Sequence, residues 1–308
     1  MGLVYFNGRF VPEEKIKKTA DKDRVLHLLQ SYVDDNSPGL VRFLVNTWQS
    51  EGKAITYKEL REAILSGEIN EKWLNDWMQD YSRLVTKHLY PAWLHAMAAA
   101  AAELERTKPS WYFNPMAQGV RAWTDTRTAT LITQVTTTQI EALRAVIQRA
   151  AVLEDMSVDE LARAIRPMVG LTKPQAEANM RYYEKLIENG VSQKRAQDLS
   201  ARYAARQHRY RAMSIARNEL AEAYNAGAHE GTKQAIEAGY LPRMVKVWST
   251  SMLEMRRCDA CKALEGVIVD MDDDFVSETK SGRRKTALRP PLHPQCMCAI
   301  QYVPADSV

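Results

Sequence analysis

Apolar residues recur at helical spacing over most of the chain. From about residue 26 to about residue 239 they return every three or four positions, which is the period of one face of an α-helix. Capping boxes at Thr56 and Ser157 mark two helix starts. Ser192 begins a long helix that we expect to reach Tyr224 or beyond. The pattern therefore predicts a body of several helices.

Weak helix formers interrupt this pattern. The cluster Asn36-Ser37-Pro38-Gly39 has the composition of a turn, so residues 26–48 are expected to form two short helices. Thr136-Thr137-Thr138 is a poor helix former and a good cap, and it is expected to separate two helices between Gln118 and Ala150. Pro91 is expected to interrupt a further helical stretch.

The period changes after Tyr240. Met244–Thr250, Gly266–Asp270 and Ala299–Val303 are expected to be short strands. Between the cysteine pair at 258 and 261 and the cluster at 293–298, we expect an exposed excursion with opposite charges on its two arms. The acidic arm contains Asp270, Asp272, Asp273 and Asp274, and the basic arm contains Lys280, Arg283, Arg284, Lys285 and Arg289. The expected fold class is mainly α, a multi-helix body with a small C-terminal antiparallel β module, stabilised by zinc and of the α+β kind.

Two breaks in the pattern predict domain boundaries. Residues 108–115 combine prolines with adjacent aromatic residues, and Gly239 with Pro242 ends the helical part. Residues 1 to about 25 are polar and mixed, and we expect them to form an arm. The expected domains are an N-terminal helical domain, 1–115, a central helical domain with a long basic helix, 116–239, and a zinc-binding β module, 240–308.

Composition limits the class of protein. The chain has 308 residues, of which 45% are apolar and 26% charged, as in a globular protein with more than one core. No apolar run reaches the length of a transmembrane helix, and Met1–Phe10 lacks the apolar core of a signal peptide. The net charge of +4, from 42 basic and 38 acidic residues, is too small to imply nucleic acid by itself. We expect no membrane contact, and a reducing cytoplasm or a particle assembled there.

All four cysteines fall into two tight clusters. Cys258 and Cys261 form a Cys-x-x-Cys pair, and Cys296 and Cys298 follow His293 closely. Thiolates and an imidazole at this spacing are typical of a tetrahedral zinc site, and disulfides are disfavoured in a reducing compartment. On a strand, i and i+2 point to one side, which favours Cys296 with Cys298, and His293 is then a competing ligand or a hydrogen-bond donor to the ligands. We expect one structural zinc, and the spacing leaves open which four residues bind it.

Further groups of residues occur in a distinctive order. They are Gly170-Leu171-Thr172 with Tyr183 and Gly190, then Arg211–Glu219 with Ala223–Ala226, then Trp248-Ser249-Thr250, Cys258-x-x-Cys261, Leu264-x-Gly266, Phe275 and Pro290–Cys298. Over roughly residues 120 to 303 they resemble the tailed-phage minor head proteins of the Mu F-like head-morphogenesis family. Two departures are Asn218, where the family usually has Thr, and Met297, where it usually has Arg.

The resemblance implies a minor capsid protein, also called a minor head protein, of a tailed bacteriophage. Such a protein joins the procapsid in few copies near the portal, during assembly in the host cytoplasm, and stays in the capsid interior of the virion. The expected partners are the portal protein and the capsid or scaffold proteins, with packaged DNA as a further candidate. Family members support head assembly and DNA packaging or delivery and are not established enzymes, so no catalytic residue is expected.

The long helix carries an excess of basic residues. Arg202, Arg206 and Arg209 share one face at i, i+4 and i+7, and they are candidate contacts to packaged DNA or to an acidic portal surface. A solvated helix face is the simpler interpretation. Arg217 and Glu219 are alternatively the two members of a buried ion pair.

Two alternative functions stay open. A zinc-dependent nuclease would use His293 as a general base, although the spacing places no second histidine or acidic partner nearby. A DNA-binding virion protein would act through the basic helix, and its affinity would fall steeply with salt.

Overall fold

The structure, a computed structural model, describes residues 3–6, 9–12, 20–153, 156–250, 258–279, 282 and 284–308. Helices make up most of these residues, and the strands after Tyr240 form small antiparallel sheets. This architecture confirms the predicted fold class, mainly α with a small C-terminal antiparallel β module.

The elements follow one another along the chain. The helices are α1, Ala20–Ala54; α2, Tyr57–Ser66; α3, Glu71–Leu84; α4, Tyr90–Thr107; α5, Gln118–Ala150; α6, Val158–Ile165; α7, Lys173–Glu188; α8, Gln193–Glu237; and α9, Asp259–Lys262. The strands are β1, Leu3–Phe6; β2, Arg9–Pro12; β3, Met244–Ser249; β4, Ile268–Asp270; β5, Phe275–Glu278; β6, Arg284–Ala287; and β7, Ala299–Pro304.

The strands pair as three antiparallel sheets. Strand β3 lies between β4 and β7, while β1 pairs with β2 and β5 pairs with β6. The three strands predicted after Tyr240 are therefore confirmed. Within the segment predicted to form an arm, residues 1 to about 25, β1 and β2 form a hairpin, and α1 begins at Ala20.

The described chain divides into two compact units. The first unit comprises Met1–Ser37, Pro91–Thr124 and Ser214–Val308, and the second comprises Pro38–Tyr90 and Asp125–Met213. Helices α1, α4, α5 and α8 each contain residues of both units. The division into 1–115, 116–239 and 240–308 stays a prediction.

Helix α1 continues without a break through Asn36–Gly39. The prediction of a turn there, with two short helices in residues 26–48, is wrong. Buried apolar side chains continue on both sides of Pro38, from Val33 to Trp48. Their burial outweighs the loss of the one backbone hydrogen bond that a proline cannot make.

Helix α5 continues through Thr136-Thr137-Thr138, so the break predicted there is wrong. The hydroxyl of Thr138 donates to the Gln134 carbonyl at 2.6 Å, and this bond satisfies the threonine within the helix. The interruption predicted at Pro91 is also wrong. The π-helical turn Val85–Leu89 joins α3 to α4 without a gap, so the helical run continues through Pro91.

Local signals at other helix ends are confirmed. Thr56 and Ser157 form reciprocal capping boxes with Glu59 and Glu160. Helix α3 contributes an aromatic face to the core, because Trp73, Trp77 and Tyr81 are buried on it.

In the second unit, Trp48 packs directly on the backbone of Gly170. Trp48 is fully buried, and Gly170 has φ = 90°, a left-handed conformation. A Cβ atom at position 170 would lie 2.3 Å from Trp48 Cγ. The Arg211 guanidinium lies 4.9 Å from the centre of the Trp48 ring and donates to the Gly170 carbonyl. Arg211 belongs to the basic run of α8 in sequence, but it is a buried structural residue.

Trp48 also joins a buried hydrogen-bond network. Its Nε1 donates to the Tyr81 hydroxyl at 2.7 Å, and the Tyr81 hydroxyl donates to Glu51 Oε2 at 3.1 Å. Gln139 Nε2 donates to the same carboxyl oxygen at 2.9 Å. Burial raises the pKa of Glu51 to about 8, so the folded protein holds this carboxyl group protonated at neutral pH.

A Gly170→Ala substitution tests the contact with Trp48. We expect a loss of about 3 kcal/mol in the free energy of unfolding, because a left-handed backbone strain adds to a clash in the core. Gly190→Ala is the matched control, since Gly190 also has a positive φ, 74°, but a Cβ there would meet nothing within 4 Å. Urea denaturation followed by circular dichroism measures both variants. Equal losses in the two variants would mean that the Trp48 contact is unimportant.

A Glu51→Gln substitution tests the raised pKa. Burial raises the Glu51 pKa from 4.5 to about 8, so the folded state holds a proton that the unfolded state releases between these values. The wild type therefore loses stability as pH rises through this window, and the Glu51→Gln variant does not. We expect the free energy of unfolding of the variant, relative to that of the wild type, to increase by about 2 kcal/mol or more from pH 4.5 to about pH 8. Urea denaturation over this pH range measures it, and a difference that does not depend on pH contradicts the assignment. Glu188→Gln, at an exposed site on α7, is the control.

Candidate metal centre

The first cysteine pair lies at the one-turn helix α9. Cys258 caps this helix, because its Sγ accepts the Cys261 N–H at 3.4 Å and its carbonyl accepts the Lys262 N–H at 2.9 Å. Gly266, at φ = 73°, then turns the chain back, and its N–H donates to the Trp248 carbonyl of β3 at 2.9 Å. The helical turn and the return to β3 together hold the two sulfurs beside the sheet.

The second cluster lies in the turn that leads to β7. The Cys296 N–H donates to the His293 carbonyl at 3.1 Å, which closes a turn around Gln295, a non-glycine residue at φ = 62°. Cys298 comes directly before β7, whose first residue, Ala299, pairs with the last residue of β3. Strand pairing therefore places the second cluster against the same strand as the first.

The structure brings together all five ligands named from the sequence. His293 Nε2 lies 3.1 Å from Cys258 Sγ and 3.2 Å from Cys261 Sγ, and Cys261 Sγ lies 3.7 Å from Cys296 Sγ. The ligand atoms form two trios, Cys258–Cys261–His293 and Cys261–Cys296–Cys298, with every atom of a trio within 4.8 Å of the others. Cys261 is the one residue that belongs to both trios, so its sulfur lies close to ligand atoms of both clusters.

These distances suit a metal ion. A tetrahedral ion with metal–sulfur bonds of about 2.3 Å holds its sulfurs about 3.8 Å apart. The separation of 3.7 Å between the Cys261 and Cys296 sulfurs matches this value. His293 Nδ1 donates to the Pro294 carbonyl at 2.8 Å, and this bond directs Nε2 toward the sulfurs. The group can therefore hold a metal ion and offers five ligands for four tetrahedral positions.

Three of the sulfurs are buried in a small apolar core. Cys261, Cys296 and Cys298 are each 3% exposed. Hydrogen bonds from the Cys261 thiol, and to a smaller extent from the Cys298 thiol, lower the pKa of Cys296, and the hydrogen bond with Cys296 raises the pKa of Cys261. The site therefore favours a thiolate at Cys296, and the thiolate is the form of cysteine that binds metals. The surrounding apolar residues are Trp248, Leu264, Phe275 and Ile300.

A comparison with protein families bears on this arrangement. The family model described as Phage Mu protein F like protein matches residues 142–301, more than half of the chain, and the match contains both cysteine clusters. The chain belongs to this Mu F-like family. No significant match is found among curated proteins or among solved structures. The resemblance inferred from the sequence is thus confirmed, and the Mu F-like chain is related to the proteins of phage heads.

The hairpin β5–β6 packs against the metal-binding core of the Mu F-like chain. Phe275 is fully buried and meets the Trp248 ring edge-on, with the ring centres 5.0 Å apart. Ser277 Oγ donates to the Ala260 carbonyl of α9 at 2.7 Å. The predicted excursion is thus a β-hairpin: Asp272–Asp274, Arg284 and Lys285 are exposed, as predicted, but Phe275 and Ser277 of β5 are buried, which was not predicted.

Two acidic residues of the predicted excursion form ion pairs with basic residues outside it. Asp270 pairs with Arg243 at 2.8 Å, and Asp272 pairs with Lys233 of α8 at 2.9 Å. Their partners are thus not the basic residues that follow in sequence. Lys280 and Arg283 of the predicted basic run lie outside the described residues.

Lys246 is a supporting residue that the sequence reasoning missed. It is fully buried on β3, and its Nζ donates to the carbonyls of Asp273, at 2.7 Å, and Leu288, at 2.8 Å. These carbonyls flank the β5–β6 hairpin, so one ammonium group holds both of its ends. The sequence indicates such a residue only by the position of Lys246 between Val245 and Val247 in a predicted strand. A lysine that is buried there requires hydrogen-bond partners for its ammonium group.

The candidate arginines lie on α8. Arg202, Arg206 and Arg209 are exposed, and they belong to the second unit, whereas the five ligands belong to the first. Their contact with DNA or with a portal stays a prediction. Arg217 forms an ion pair with Asp34 of α1.

No helix in the described ranges is long and apolar enough to cross a membrane.

A Cys261→Ser substitution tests the centre. We expect purified wild-type protein to hold about one metal ion per chain and the variant to hold far less, because Cys261 is common to both ligand trios. The helices should keep their far-UV circular dichroism, while the region after Tyr240 becomes sensitive to protease. His293→Gln is the comparison variant and should keep more metal, since four thiolates remain. Metal analysis by mass spectrometry measures all three proteins, and an equal loss from both variants would contradict the central position of Cys261.

Proposed function

We propose that this chain is a minor capsid protein of a tailed bacteriophage and that it carries one structural zinc. The supporting observation is the cluster of four cysteines and one histidine inside the segment matched by the Mu F-like family. In this proposal the protein enters the procapsid in few copies near the portal and remains inside the head. There it supports head assembly and the packaging or delivery of DNA.

Zinc is the ion that best suits these ligands. Structural zinc sites take four thiolate or imidazole ligands in a tetrahedron and leave no open position. In our proposal Cys258 and Cys261 supply two ligands, and two of His293, Cys296 and Cys298 supply the others. Such an ion contributes on the order of 10 kcal/mol to the folding of a small domain. The apolar core around the sulfurs is small, so this contribution stabilises the β module.

The position of His293 argues against an enzyme. A general base needs a nitrogen that is free to take a proton from a substrate or a water molecule. Both nitrogens of His293 are engaged, Nδ1 with the Pro294 carbonyl and Nε2 with the Cys258 and Cys261 sulfurs. We infer that the protein acts by binding rather than by catalysis, and we do not propose the nuclease alternative.

The proposed partners are the portal protein and the capsid or scaffold proteins, with packaged DNA as a further candidate. We also propose that residues 240–308 act as a zinc-stabilised domain that follows two helical domains, 1–115 and 116–239. The helices have their own caps and buried faces, so their stability does not depend on the ion.

Procapsids purified with and without the portal protein test the proposed placement. We expect a few copies of the chain in particles that contain the portal and none in portal-free particles, because docking near the portal is what retains it. Quantitative immunoblotting against the major capsid protein measures the copy number. Equal amounts in both kinds of particle would mean that the chain does not depend on the portal for its place in the head. Its absence from both would mean that it is not a component of the head.

A further inference from the structure

The second unit contains a cavity with an apolar floor. The cavity has a volume of about 240 Å³ and lies between the end of α1, the turn after α6 and the helix α8. An apolar cavity of about 150 Å³ is large enough to hold benzene, so this one has room for the side chain of a leucine or a phenylalanine. Pro167, Ala201 and Ala205 are partly or fully exposed where they line the cavity, and the buried residues Trp48, Gly52 and Val169 complete its lining.

The floor is held in place by several contacts. Trp48 is fixed between the backbone of Gly170 and the hydroxyl of Tyr81. His208, which also lines the cavity, shares a hydrogen bond of 2.8 Å with the Val169 carbonyl. The cavity is therefore pre-formed, and an incoming side chain would find its contact surface already ordered.

Cationic side chains surround the opening. Lys53 and Arg166 line the cavity, and Arg166 is fixed by donating to the Gly52 carbonyl at 2.8 Å and the Lys53 carbonyl at 2.7 Å. On α8, each of the cavity-lining positions 201, 205 and 208 is followed by an arginine. Successive residues of a helix are about 100° apart, so these arginines form the adjacent stripe of α8. They are Arg202, Arg206 and Arg209, and all three are exposed.

The charge at this rim is not balanced by nearby acids in the described part of the chain. No carboxylate there forms an ion pair with Lys53, Arg166 or the three arginines. Between residues 193 and 209 of α8, Asp198 is the only acidic residue in the sequence. The rim therefore has a net positive charge that suits an acidic partner.

We propose that this cavity is a docking site for an acidic segment of a partner protein, which inserts one leucine or phenylalanine side chain. The arginines alone would suit DNA equally well. A DNA backbone, however, has no apolar side chain to fill the cavity, whereas a peptide can satisfy the apolar floor and the cationic rim together. The inference goes beyond the proposed head function and does not depend on the metal.

Peptide binding to the full-length protein tests this proposal. The probe is a short fluorescent peptide of acidic residues around one central leucine, and the comparison peptide has serine in place of the leucine. We expect the leucine peptide to bind about tenfold more tightly, since its side chain leaves water. Ala205→Leu fills the cavity from an exposed helical position, so it should remove this preference without unfolding the protein. Fluorescence anisotropy measures each affinity.

Charge variants complete the test. Arg206→Glu should weaken both peptides, and Arg144→Glu, the same change at an exposed site of α5, should leave both unchanged. Equal binding of the leucine and serine peptides would overturn the proposal, as would a preference that survives Ala205→Leu. Tighter binding of a short DNA duplex than of the leucine peptide, unaffected by Ala205→Leu, would overturn it in favour of a DNA-binding surface.

Discussion

The C-terminal module depends on the contact between the sulfurs of Cys261 and Cys296. These atoms belong to two turns that are far apart in sequence, yet they lie 3.7 Å apart in the core. Buried thiols this close cannot all be ionised without a cation, because like charges repel strongly where water is excluded. A bound metal ion would resolve this conflict, because its positive charge stabilises the thiolates, and it would connect the two turns through metal–sulfur bonds. The sequence distance between the clusters is then an advantage, since the ion ties together segments that local hydrogen bonds cannot join.

The central strand β3 makes this contact possible. It pairs with β4 on one side and with β7 on the other, and each of its six residues is buried. The first cluster is fixed to it through the Gly266–Trp248 hydrogen bond, and the second through the pairing of Ala299. Lys246 on the same strand holds the β5–β6 hairpin, which covers the core with Phe275. One strand therefore sets the positions of both ligand clusters and of the hairpin above them.

The parts that could be predicted from the sequence are those with a local physical cause. Capping boxes, helix periodicity and the spacing of Cys258 and Cys261 act within a few residues, and each led to a correct element or a correct grouping. The failures at Pro38 and Thr138 have a different origin, because both residues disfavour a helix locally and long buried faces outweigh them. The hairpin β5–β6 was missed because its charged composition is typical of a loop, and only its packing on Trp248 shows that Phe275 is a core residue. The sequence left open the choice among His293, Cys296 and Cys298, and the structure brings all three close to Cys261.

The two units satisfy their buried polar groups in different ways, and this difference bears on assembly. In the second unit, Glu51, Tyr81 and Gln139 bond to one another, and a proton on Glu51 removes its charge. The hydrogen bonds of that network are formed by side chains of the second unit alone. In the C-terminal module, the crowded sulfurs of Cys261, Cys296 and Cys298 instead call for a cation. The helices need no metal ion to fold, whereas under the proposed function the module would be completed only when it binds zinc. Under the same proposal, a surface formed by the module would exist only in metal-loaded chains, so metal binding would precede any assembly step that uses that surface.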